Sequence, residues 1–290
     1  MKVRMVQRGK HQSFIDDDNG GARVLSVTRI TAALPKDALI NWAGSATAEY
    51  AVNNWAELDG IPVGARLQKI SKGRYESRDA AAGRGTEVHK IGEKLLAGET
   101  VVVPPEIKGY VDSYRRFMEE FDFHPVHVER AVYSQEHGYA GRLDIEGDLI
   151  LPDIQAYEDV PRDEQGYSRA LIDAKTSKSG IFGETALQLT GYRYADTMIT
   201  GEGKDQVHTP RDSVDLTAGL HITANGYELI RVDSSPEVFR TFLYLKQVAH
   251  LAIEDEGAEL KALVLGRIPP PLMAEYRLVK VDRSAEGAPF

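Results

Sequence analysis

The sequence predicts an α/β domain: a central mixed β-sheet flanked by helices, with an added amino-terminal helical region. Three observations carry this. Leu171-Ile172-Asp173-Ala174-Lys175-Thr176 is an apolar strand pattern that ends in an acid and a lysine. Two hairpin patterns surround His137-Gly138 and Ala224-Asn225-Gly226, and Asn-Gly between strands is a strong turn signal. Helical periodicity precedes, interrupts and follows these strands, most clearly in Ile107, Tyr110, Val111, Tyr114, Phe117, Met118 and Phe121.

In chain order, residues 1–22 read as a mobile or edge segment around the turn cluster Asp16-Asp17-Asp18-Asn19-Gly20-Gly21. Ser26 to Ile30 is a short strand or helix lead-in, and Pro35 opens a helix whose apolar stripe includes Trp42, Tyr50 and Trp55, the tryptophans as expected core anchors rather than base-stacking platforms. Helices follow over about Val63–Ile70 and Tyr75–Ala97. Gly83 and Gly85 break the second, which restarts near Thr86. After Pro104-Pro105 and the amphipathic helix, strands alternate from Val126 to Tyr133 and return from Ala140 to Ile145, with Gly141 marking a bulge or close approach. Pro152 to Ser168 is a polar loop ahead of the acid–lysine strand. Thr185 to about Thr200 reads as a helix, Leu216–Thr223 and Tyr227–Val232 as a hairpin, and Ser235 to Glu254 and Glu256 to Leu265 as helices.

With 290 residues and no repeat or low-complexity linker, one domain over 23–271 with a tail over 272–290 is the simplest partition. The absence of cysteine excludes disulfides, thiolate zinc sites, cysteine-ligated iron–sulfur clusters and a cysteine nucleophile. A formal charge of −9 argues against general coating of nucleic acid but leaves room for a local basic channel. No signal-peptide pattern follows Met1-Lys2-Val3-Arg4 and no apolar run has membrane length, so the expectation is a cytoplasmic protein without a membrane partner.

Side chains alternate along a strand, so Asp173 and Lys175 leave it on one face. Such a pair can hold a divalent cation beside an anionic oxygen, as phosphodiester hydrolysis requires. Taken alone, D-x-K is more often a simple strand-end ion pair. A lone histidine such as His89 is more often structural than a ligand.

Several pieces occur together and in order. Gly85-Thr86-Glu87-Val88-His89, then Glu129 with Gly141-Arg142-Leu143-Asp144, then Ile172-Asp173-Ala174-Lys175-Thr176, then Gln188-Leu189-Thr190-Gly191-Tyr192 resemble the motifs of the PD-(D/E)xK nuclease superfamily, in particular its RecB-type exonuclease branch. The likeness spans about Ser26 to Tyr194, and includes Ser26-Val27-Thr28 and the Trp42 helix. It implies a restriction-endonuclease-like core and a metal-dependent DNA exonuclease of phage recombination or DNA processing. It also implies Mg²⁺ or Mn²⁺ held by Asp144, Asp173, the Ala174 carbonyl and His89. Lys175 would orient or activate water, Glu129 would support the ligands, and Gln188 and Tyr192 would complete the site. Arg84, Lys178 and Arg193 are implied phosphate contacts, each otherwise an ordinary surface charge. DNA ends are the implied substrate, with a single-strand annealing protein or helicase as partner.

The chain departs from the family in three ways. The gap from Asp144 to Asp173 is long, which leaves Asp148 as an alternative first acid. The cysteines of iron–sulfur relatives are missing, and so is the G-x-x-x-x-G-K-[ST] of a motor. A structure-specific endonuclease, an RNA-acting nuclease and a silent nucleic-acid-binding module stay open as alternatives.

Overall fold

The structure, a computed structural model, describes residues 2–8, 11–177, 180–201, 203 and 205–253. Lys178, the expected helix over 256–265 and the tail over 272–290 lie outside the described residues.

The central layer is a seven-stranded mixed sheet. Its strands are β4 (His124–Ser134), β5 (Tyr139–Ile150), β6 (Tyr167–Lys175), β7 (Thr197–Thr200), β8 (Val207–Pro210), β9 (Leu216–Thr223) and β10 (Gly226–Arg231). They run in the order β10-β9-β6-β5-β4-β7-β8. Neighbours are antiparallel except β6 and β9, which pair in parallel from Ala170↔Leu216 to Lys175↔His221. The two expected hairpins are β4–β5 and β9–β10.

Helices cover both faces. On one, α1 (Val27–Thr31), α6 (Gly183–Arg193) and α7 (Pro236–Ile253) enclose a core of Val27, Ile30, Leu143, Leu171, Leu189, Tyr192 and Phe242. On the other, α5 (Lys108–Glu120) and the end of α4 (Val63–Leu96) enclose Leu96, Tyr114, Phe117, Ile145, Ile172, Ala174 and Leu220. Burial of these side chains contributes about 1.5–3 kcal/mol each before conformational entropy is counted. Leu143 and Ile145 are two residues apart yet belong to opposite cores. The alternation of β5 is therefore interrupted at Asp144, where the site forms.

Several expectations are corrected. Within the segment 1–22, read as mobile or edge, the described residues are ordered into strands. They make a three-stranded antiparallel sheet of β1 (Val3–Arg8), β2 (His11–Asp16) and β3 (Ala22–Val24), and Val3, Phe14 and Val24 pack against Ala131, Tyr133 and Ile199. The two helices expected before residue 97 are one continuous α4. Gly costs a helix only about 1 kcal/mol, and tertiary packing outweighs it: Val88 and Ile91 are buried, and a Cβ on Gly85 would lie 2.9 Å from Thr176 Oγ1. The helix expected over 185–200 stops at Arg193. Thr197–Thr200 instead forms β7, whose Met198 and Ile199 are buried, and β8 follows unforeseen. The tryptophans are not core anchors. They lie on α2 (Asp37–Asn53) and α3 (Trp55–Asp59), where Trp42 is half-buried and Trp55 is 57% exposed.

Gly141 provides the close approach its position in β5 implies. A Cβ there would meet Tyr192 Cε1 at 2.5 Å and Val27 Cγ2 at 3.0 Å. Gly141→Ala is therefore expected to destabilise the fold by about 1–3 kcal/mol through overpacking, read as a lower denaturant midpoint. An unchanged midpoint would show that the Tyr192 ring moves freely.

Candidate functional site

The carboxyl end of β6 presents Asp173, Ala174 and Lys175 beside Asp144 of β5. The β5–β6 ladder begins its pairing at Ile145↔Ile172, so the two acids lie where the strands part. The freed Ala174 N–H donates instead to Asp144 Oδ2 at 3.2 Å. Next to Asp144 on β4, Glu129 has φ 52°, a left-handed conformation uncommon for a residue with a side chain.

Helices from both faces complete the cluster. From α4, His89 Nε2 donates to the Ala174 carbonyl at 2.9 Å and lies 3.9 Å from Asp144 Oδ2. From α6, Gln188 Nε2 donates to Asp173 Oδ1 at 2.8 Å and lies 3.4 Å from Tyr192 Oη, the four-residue spacing placing both on one helix face. Lys175 Nζ lies 2.6 Å from Asp173 Oδ2. That contact lacks hydrogen-bond geometry, so Asp173 Oδ2 is buried without a hydrogen bond.

Burial dominates the electrostatics. It raises the Asp173 carboxyl to about 6, helped by the Asp144 charge and opposed by Lys175. Burial likewise raises Asp144 and Glu129. Burial works against the Lys175 charge, but Asp173 and Asp144 outweigh it and hold the ammonium above its ordinary range. Burial also keeps Tyr192 protonated.

Lys175, Asp173, Asp144, Gln188, Tyr192, His89 and Ala174 are thus brought together. Glu129 stands at the edge, with Arg142 Nε 2.6 Å from its Oε2. Asp148, the alternative acid, is instead engaged by Arg169, whose Nε lies 2.5 Å from Asp148 Oδ1. Arg84 packs its guanidinium over Tyr110, 5.8 Å from the ring centre. Arg193 is a correction. It sits at the far end of α6, donates to Ser234 Oγ at 2.7 Å, and lines a cavity with Leu216, at the opposite end of the β6–β9 pair from Lys175.

One residue escaped the sequence reading. Glu93 follows His89 by four residues on α4 and lines the same small cavity with Glu129, Asp144 and Thr176. A hydrogen-bonding contact with Glu93 helps raise the Glu129 carboxyl. The His89–Glu93 spacing was the signal that could have found it.

Two carboxylates, a carbonyl and an imidazole are a donor set suited to Mg²⁺ or Mn²⁺. Among the described residues, no three His, Asp or Glu side chains converge as a ready-made metal group. The Lys175 ammonium takes the place beside Asp173 instead. The unbonded Asp173 Oδ2 is the atom whose state a cation would improve, and His89 would have to release Ala174 to offer its nitrogen. The arrangement is a pair of acids at a strand end, Asp173 buried and Asp144 half-buried, whose charge one ammonium offsets in part.

The fold is an α/β sandwich around a large mixed sheet, with this acid–lysine cluster at the open end of its central strands. Protein-family models give no match to the chain, and a search of curated proteins gives no significant match. Among the described residues, no helix is long and apolar enough to cross a membrane.

Proposed function

We propose that this protein is a divalent-metal-dependent nuclease with a restriction-endonuclease-like core, acting on DNA ends. The observation that carries the reading is the convergence of Asp144, Asp173 and Lys175 at the parting of β5 and β6, with His89 and Gln188 reaching in from opposite faces. Burying two carboxylates beside each other is costly unless their charge is used.

In this reading Asp144 and Asp173 hold the cation, with the Ala174 carbonyl and His89 as further donors. The cation would supply charge neutralisation at the phosphate and acidify water. The chain's own groups do the rest. Lys175, held as an ammonium, orients the attacking water and stabilises charge on the phosphoryl oxygens. Gln188 fixes the Asp173 carboxylate through Oδ1, so that Oδ2 faces the Lys175 ammonium, which a cation would have to displace. Tyr192, held protonated, closes the apolar floor against Gly141.

End-labelled linear DNA, single- and double-stranded, incubated beside circular DNA in Mg²⁺ and in Mn²⁺ tests the proposal. Shortening from an end supports an exonuclease, and cutting of the circle shifts the reading to an endonuclease. A folded protein that cleaves neither DNA nor RNA in either metal would sink it.

The acid pair also sets a pH dependence. The Asp173 pKa is raised from 3.8 to about 6, so the folded chain binds this proton more tightly than the unfolded one. Its contribution to metal-free stability is complete below pH 3.8 and lost as pH rises through about 6. A cation competes with the same proton. Mn²⁺ affinity by calorimetry is expected to rise with pH up to about 6 and then level off. An affinity flat across that window would show that Asp173 is not a ligand.

A further inference from the structure

We infer that the groove between α2–α3 and the first half of α4 is a nucleic-acid surface that holds the substrate strand away from the cleaved bond. The inference deepens the nuclease reading and rests on it. The chain is acidic, with a formal charge of −9, so a polyanion needs a local basic element. The first thirteen residues of α4 are one: Val63 to Tyr75 contains Arg66, Lys69, Lys72 and Arg74 and no carboxylate.

A groove of about 540 Å³ runs beside this segment, lined by Tyr50, Asn54 and Glu57 on one wall and Gln68, Lys69 and Lys72 on the other. The α4 residues are spaced three and four apart and form one helix face. The Tyr50 ring lies against the α4 backbone, where a Cβ on Gly73 would come within 2.3 Å of it. That contact sets the width of the groove. Lys69 pairs with Glu57, and Arg66 Nη2 lies 3.8 Å from Asp59 Oδ1, but both acids are exposed. Exposed pairs of this kind are weak and give way to phosphate. Lysines for phosphates and amides for base edges line the groove, and Trp55, exposed on α3 next to Asn54, adds an aromatic outside that lining; these are the chemistry of a single-strand surface.

The same unbroken helix carries His89 into the candidate site. From Lys72 to His89, helix rise gives about 26 Å, or about four nucleotides of an extended single strand, whose phosphates lie about twice the duplex rise of about 3.4 Å apart. A strand shorter than that span occupies the site or the groove, and only a longer one reaches both.

Both tryptophans of the chain, Trp42 and Trp55, lie on these helices, so intrinsic fluorescence reports on them. The probes are oligodeoxythymidylates of about 3 and about 20 nucleotides, chosen to fall either side of that span. They are titrated into the Asp173→Asn protein so that none is cut. The longer probe is expected to change the fluorescence. Lys69→Gln/Lys72→Gln should weaken its binding about tenfold and flatten the salt dependence by about 1.4 for two phosphates, while Lys69→Arg/Lys72→Arg binds normally. With Asp173 intact, hydrolysis of bis(p-nitrophenyl) phosphate should not change. Equal binding of the longer probe by the glutamine variant, or no gain in affinity from the shorter probe to the longer, overturns the inference. The two readings fail separately: binding that depends on the lysines without any hydrolysis removes the nuclease and keeps the surface, and hydrolysis without that dependence does the reverse.

Discussion

Asp173→Asn is expected to lower phosphodiester hydrolysis about a thousandfold, equivalent to about 4 kcal/mol of transition-state stabilisation, while leaving the metal-free protein at least as stable at pH 8. The two halves have one cause. Asp173 is 1% exposed and lies beside Asp144, and its raised pKa records that the folded chain resists ionising it. Asparagine resembles the protonated acid in shape and removes that resistance. It still accepts from Gln188 at the Oδ1 position. What it loses is the negative charge that would bind a cation and that pairs with Lys175, whose ammonium, 34% exposed, turns from the new amide to Asp144 and solvent. A residue kept for folding alone would show the opposite pattern, with stability lost on substitution. The check is a chelator-treated denaturant titration alongside end-labelled cleavage. Wild-type cleavage by Asp173→Asn would remove Asp173 from the chemistry, and a large drop in stability would make the Lys175 pair a structural one.

The parts of this site that could be read in the sequence rest on short-range periodicity. Strand alternation puts Asp173 and Lys175 on one face, and the helical spacing of Gln188 and Tyr192 puts both over it. His89 was legible only because a motif surrounds it, and its hydrogen bond to Ala174 spans 85 residues of sequence. Glu93 has no such motif and was passed over. The misreadings also have local causes. Gly83 and Gly85 signal a break when propensity is considered alone, but the site needs a helix that passes close to Thr176. Thr197 to Thr200 continues an apolar stretch that suits helix or strand, and pairing with Ala131, Val132 and Tyr133 decides for strand. Arg193, read as a phosphate contact or an ordinary surface charge, follows Tyr192 directly. One residue further along a helix turns a side chain about 100°, and this one turns towards Ser234.

Arg211→Met is expected to destabilise the fold by about 3–5 kcal/mol, the cost of stranding a buried charge, although Arg211 belongs to none of the motifs. Its side chain is 2% exposed and its partner Glu146, on β5, is 1% exposed. Arg211 Nη2 donates to Glu146 Oε2 at 2.6 Å, and Nη1 donates to the Tyr192 carbonyl at 2.5 Å. Arg211 therefore caps the last turn of α6 and ties it to the strand that carries Asp144. Tyr139 Oη fastens the same turn by donating to the Gly191 carbonyl at 2.8 Å. Arg169 Nη1, 3.6 Å from Glu146 Oε1, offsets only part of the stranded charge, because Asp148 already engages it. Arg211→Met/Glu146→Leu removes both charges and should recover much of the loss, leaving the unpaired α6 carbonyls as the remainder. If the double variant is as unstable as the single one, the carbonyl bonds rather than the ion pair dominate. If the single variant loses less than about 1 kcal/mol, the charge argument fails. Activity separates the roles of the two ends of α6. A double variant that folds but cleaves slowly would show that the cap sets where Gln188 meets Asp173, fifteen residues away in sequence and on the next layer of the fold.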